Sequence, residues 1–84
     1  MKVYIWGTGA MTIDYMKKQE IALEDIIGFI ESRKTKDSFE GKKVYEPQEI
    51  SAVYDYILIC VKRAGREIYQ RCKETGIDTN KLVL

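Results

Sequence analysis

The apolar positions of this chain fall into short blocks separated by polar intervals, and each block predicts one element. Val3-Tyr4-Ile5-Trp6 is apolar without a break, the pattern of a parallel strand covered on both faces. A helix is expected to follow over about Ala10 to Lys18. Ala10, Ile13 and Met16 are its apolar positions, joined by Met11 and Tyr15, and Lys17, Lys18, Gln19 and Glu20 close it. Ile26-Ile27-Gly28-Phe29-Ile30 predicts a second strand ending at Glu31, and the unpatterned polar run Ser32 to Asp37 predicts a loop. Phe39 to Tyr45 holds a turn glycine, Gly41, and a brief extended piece, read as a weak third strand. Pro47 suits the first position of a short helix reaching about Ala52. Tyr54 to Val61 is the strongest strand signal, and its continuous apolar run belongs at a sheet centre. From Gly65 to Thr75 a helix is expected, with Ala64, Ile68 and Cys72 at i, i+4 and i+8. It ends at Gly76, suited to a left-handed cap, with Ile77 placed for the accompanying apolar contact. Lys81 to Leu84 predicts a last short strand.

This alternation implies an α/β fold with a mostly parallel sheet, right-handed crossovers and helices on both faces, a three-layer arrangement. The expected strand order is 3-2-1-4-5. Its switch point lies between strands one and four, above Gly7 to Gly9 and the residues after Val61. The chain of 84 residues reads as a single domain with no repeat, low-complexity tract or linker.

Composition narrows the chemistry. A formal net charge of +1 gives no bulk attraction to nucleic acid or membrane. No apolar run approaches a membrane span, and the opening MKVYIWGTG lacks the apolar stretch and cleavage site of a secretory signal. A cytoplasmic protein is expected. The chain has no histidine and two cysteines, Cys60 and Cys72. That excludes a Ser-His-Asp or Cys-His nucleophile, a zinc site of useful ligand count and a Cys-x-x-Cys redox pair. Both cysteines read as small core residues in a reducing compartment.

The candidate chemistry lies in Gly7-Thr8-Gly9-Ala10-Met11-Thr12, where an apolar strand runs into Gly-x-Gly and then into a helix. In a phosphate loop the first glycine permits the tight turn, the second lets the backbone approach a pyrophosphate, and the helix N-terminus faces the anion. Thr12 stands where a third glycine would let helix and strand pack closely. Thr8 and Thr12 are candidate hydroxyl contacts to phosphate. Glu31, with Ser32 beside it, follows strand two, where an acidic residue would take both hydroxyls of an adenosine ribose. Arg33 and Lys34 next to it could accept a 2′-phosphate, but they read first as a solvated charge run. Lys62 and Arg63, after strand four, are candidates for a phosphate or sugar carboxylate, with a plain surface loop as the alternative. Trp6 and Tyr4 read as core. Tyr69 and Lys73 match the Tyr-x-x-x-Lys spacing of short-chain dehydrogenases, but without a partnering serine they read as helical surface.

The strand-loop IWGTG, IIGFIES, the Lys36 to Val44 segment, Glu46-Pro47, YDYILIC and EIYQRCKETGI together carry a resemblance over nearly the whole chain. It resembles the Rossmann-like N-terminal nucleotide-sugar-binding domain of PglD-type sugar acyltransferases. It also resembles the NAD-binding domain of polysaccharide-biosynthesis sugar epimerase/dehydratases, and similar modules of glycan methyltransferases. The resemblance implies that Gly7, Thr8 and Gly9 hug a diphosphate and that Glu31 takes the ribose-proximal acidic position. Cys60-Val61-Lys62-Arg63 departs from the small residues usual in those relatives. Catalytic machinery in those families lies largely outside this module.

The expected function is therefore a nucleotide or nucleotide-sugar binding module of bacterial surface-glycan biosynthesis, with no catalytic activity in this chain alone. NAD or a UDP-sugar is the expected ligand class. An NAD-binding fragment of a sugar-nucleotide epimerase/dehydratase and a ligand-free interaction domain are the alternatives. The apolar last strand is expected to pair with a second copy or with a downstream domain.

Overall fold

The computed structural model describes residues 1–18, 21–51, 53–62 and 65–83. Strands β1 (Val3–Trp6), β2 (Ile26–Ile30), β3 (Ser38–Phe39), β4 (Lys42–Tyr45), β5 (Tyr56–Ile59) and β6 (Leu82–Val83) form one sheet, with helices α1 (Ala10–Lys17) and α2 (Gly65–Thr75). The order across the sheet is β3-β4-β2-β1-β5-β6. This corrects the expected five-strand order. Ser38–Phe39 pairs antiparallel with Lys42–Lys43 at the edge, a hairpin closed by Glu40 (φ 51°) and Gly41 (φ 77°). Both turn residues have positive φ, as a two-residue type I′ turn requires. Every other strand pairing is parallel.

The unbroken apolar strands are explained by what covers them. β1 is buried at every position. Its alternate side chains divide between two cores, as a period of two demands. Tyr4 and Trp6 join Ile30, Ile57, Ile59, Ile68, Cys72 and Ile77 on the face that receives α2. Val3 and Ile5 join Ile26, Phe29, Val44, Leu58 and Cys60 on the other, against which Tyr15 and Met16 of α1 pack. The sheet thus buries apolar side chains on both of its faces.

Two elements are clearly shorter than expected. The strand expected over Tyr54 to Val61 contracts to Tyr56–Ile59. Pro47 starts a single 3₁₀ turn, Pro47–Glu49, because Ile50 is already extended at ψ 152°. Ala52, its expected end, lies outside the described residues, as do Gln19, Glu20, Ala64 and Leu84. The inner face of α1 also differs from the expected one. Thr12 is fully buried, with Tyr15 and Met16 half-buried, while Met11 and Ile13 are exposed and Ala10 faces outward. The tight turn out of β1 sets the helical phase, and the stripe 12, 15, 16 follows from it.

The end of α2 matches its sequence signal. Gly76 takes φ 79°, and the Ile77 N–H donates to the Cys72 carbonyl at 2.9 Å. That bond closes a Schellman motif and seats Ile77 in the core. Cys60 and Cys72 are buried free thiols. Tyr4 and Trp6 are core, Tyr4 lying edge-on to both Tyr45 and Tyr54 with centroids 5.6 Å apart. Among the described residues no helix is long and apolar enough to cross a membrane.

Candidate functional site

The C-terminal ends of β1, β2 and β5 open into one cleft of 730 Å³, beside the start of α1. In an open parallel sheet this is the crevice at the switch point, where neighbouring crossovers leave to opposite faces. Gly7 to Met11 supply one wall, Glu31, Ser32, Arg33 and Lys36 a second, and Cys60, Val61 and Lys62 a third, with Trp6 and Ile68 below.

The two glycines of the loop have different causes. Gly7 stands at φ +125°, and a Cβ on it would lie 2.5 Å from the Cys60 carbonyl oxygen. Its N–H donates to the Ile30 carbonyl at 2.9 Å, so the chain turns while still tied to the sheet. The fold itself requires glycine there. Gly9 is the opposite case. It has φ −106° and ψ −161° at the head of α1, and a Cβ built on it meets nothing within 4 Å. Its missing side chain leaves open the space beside the helix N-terminus. No side chain caps that terminus, so its first-turn N–H groups remain suited to an anion.

Thr12 is corrected as a ligand residue. It is absent from the cleft walls and fully buried, and its hydroxyl donates to the Gly7 carbonyl at 2.8 Å. Thr12 therefore fastens the turn from beneath. The thiol of Cys60 is pushed up by burial. Burial likewise pushes up the Cys72 thiol.

Thr8 is brought to Glu31. Its hydroxyl donates to Glu31 Oε2 at 2.6 Å and accepts from Lys36 Nζ at 3.0 Å. The second carboxylate oxygen of Glu31 accepts from the Thr35 N–H at 3.3 Å. Ser32 lines the cleft and gives its carbonyl to Arg71 of α2 at 3.3 Å. Lys62 lines the third wall, and Arg63 lies outside the described residues. Sequence reasoning missed Lys36 and set Arg33 aside as solvated charge. Both sit in an unpatterned loop, where no periodicity indicates which side chains fold back.

Among the described residues three cations, Arg33, Lys36 and Lys62, thus line a cleft whose walls carry one carboxylate, Glu31. A second hollow of 510 Å³ shares Ser32 and Arg33 with it and continues to Glu46, Glu67 and Arg71. The Tyr69–Lys73 pair belongs to the outer surface: Tyr69 is 46% exposed, and Lys73 Nζ lies over its ring at 4.9 Å. Among the described residues no group of acidic or cysteine side chains is arranged to hold a metal ion.

No curated protein matches the sequence. Residues 1–83 match the C2185-like N-terminal family, and over that span, nearly its whole length, the chain belongs to this family.

Proposed function

We propose that this chain is a nucleotide or nucleotide-sugar binding module of bacterial surface-glycan biosynthesis, cytoplasmic and of three-layer Rossmann-like fold. In this reading the Gly7-Thr8-Gly9 loop and the first turn of α1 hold a phosphate. The observation that carries it is Gly9. The fold imposes neither positive φ nor close contact there, yet glycine costs conformational entropy that a larger residue would not. A phosphate approaching the backbone supplies a reason for it. The excess of cations over carboxylates in the cleft supports the same ligand charge. The adjoining hollow past Ser32 and Arg33 gives the rest of a nucleotide room.

The reading assigns binding to this chain and leaves catalysis to other machinery. An NAD-binding fragment of an epimerase/dehydratase is the second reading, favoured by Glu31 at the end of β2. Edge strand β6, paired with β5 and carrying Val83 at 42% exposure, is our candidate surface for a second copy or a downstream domain.

A thermal-shift panel of NAD, NADP, ADP, UDP-glucose, coenzyme A and S-adenosylmethionine tests the proposal. A saturable rise in Tm with a nucleotide is the expected result. No shift with any of the six overturns it in favour of a ligand-free interaction domain. NADH consumption by the chain with UDP-glucose would transfer the case to the second reading.

A further inference from the structure

We infer that Lys36 is a phosphate-binding residue of the cleft and that Glu31 positions it through Thr8, so the site reads a charged phosphate group and not a ribose diol. The inference rests on the phosphate-binding reading above and goes against the role the sequence suggests for Glu31.

The directions of the hydrogen bonds carry the argument. A threonine hydroxyl has one proton, and an ammonium can only donate. Lys36 Nζ must therefore donate to Thr8 Oγ1 at 3.0 Å, leaving the Thr8 proton for Glu31 Oε2 at 2.6 Å. The other Glu31 oxygen already accepts from the Thr35 N–H. Each Glu31 oxygen thus already has one protein donor, and a ribose diol that displaced Thr8 would release Lys36 from the loop.

Lys36 is held for a purpose that its own contacts do not exhaust. Its ammonium lies 5.2 Å from the Phe39 ring centroid and against Thr8, within the glycine loop itself. Among the described residues no carboxylate forms an ion pair with it, whereas neighbouring Lys34 pairs with Asp37 at 3.8 Å and Glu49 at 3.6 Å. One of its three protons is engaged by Thr8, which leaves two for an acceptor in the cleft that Lys36 and Gly9 both line. A lysine side chain surrenders about 2 kcal/mol of rotamer freedom when fixed. Phosphate oxygens are the acceptors that such a point charge suits.

Calorimetric titration of the full chain with inorganic diphosphate, ADP and 2′,3′-dideoxy-ADP tests this. Lys36→Gln is expected to weaken diphosphate and ADP by at least about tenfold, the scale of a charged hydrogen bond. Thr8→Val should cost nearly as much, and adding it to Lys36→Gln should cost little more, because both remove the same contact. Glu31→Ala, which leaves the Thr8 hydroxyl without its acceptor, should weaken diphosphate about as much as Thr8→Val does, and Glu31→Gln, which restores an acceptor, should recover most of that loss; undiminished binding by Glu31→Ala overturns the positioning role. Lys73→Gln, on the outer face of α2, should change nothing. Dideoxy-ADP should bind within about threefold of ADP, a comparison that needs no variant.

Undiminished binding by Lys36→Gln, or a loss of about tenfold or more on removing the diol, overturns the inference while leaving phosphate binding intact. Failure of diphosphate and ADP to bind the wild type overturns both.

Discussion

At the residue scale, Gly7 and Gly9 look alike in the sequence and differ in what depends on them. Gly7→Ala places a Cβ 2.5 Å from the Cys60 carbonyl oxygen at φ +125°. Backbone strain alone should cost on the order of 1–3 kcal/mol, and the steric overlap adds to it. Gly9→Ala should stay within about 1 kcal/mol of wild-type stability, because its φ is ordinary and its surroundings are open. Urea denaturation of the two variants checks the contrast, and equal losses would contradict it. The glycine motif was legible because both residues follow an apolar strand. Which glycine serves the fold was not, because that depends on Cys60, which arrives from β5 across the sheet. Thr12 shows the same limit. Its place in the motif suggested a ligand, but its burial follows from the helical phase that the turn imposes.

At the element scale, long periodic segments were legible and short ones were not. α2 spans the expected Gly65–Thr75, since Ile68 and Cys72 mark its inner face and Gly76 its stop. Ile68→Ala should remove about 2–5 kcal/mol by opening a cavity between α2 and the sheet, measured by the same denaturation. The β3–β4 hairpin was hidden because its strands are two and four residues long. Its Glu40-Gly41 turn also lacks the usual Asn-Gly or Asp-Gly signal.

The packing of these elements also sets a pH dependence. Burial raises the thiols of Cys60 and Cys72 above their ordinary value of 9.0 and the phenols of Tyr4 and Tyr54 above 10.0. The unfolded chain releases these protons first, so the native state binds more protons over that interval. Stability is therefore fully present below pH 9 and falls as pH rises through the shifted values. Tm measured from pH 8 to 11 should decline from about pH 9 upward. A Tm constant across that range would contradict the account.

For the whole molecule, the net charge of +1 conceals an uneven distribution. Overall composition argued against a bulk electrostatic partner, and that argument says nothing about one cleft. Arg33, Lys36 and Lys62 converge there because the loops after β2 and β5 leave the same end of the sheet, one on each side of β1. Binding of a phosphate ligand should accordingly weaken as salt rises, most steeply where the Debye length shrinks from about 30 to 10 Å, between 0.01 and 0.1 M. Titrations across that range check it, and a salt-independent affinity would point to uncharged recognition.

The central claim is that the open space at Gly9 is where a phosphate meets the backbone. Calorimetric titration of ADP into the wild-type chain and into Gly9→Val measures this most directly. The account predicts saturable binding by the wild type and its loss in a variant that melts as a folded protein. Equal affinity in the two chains would contradict it.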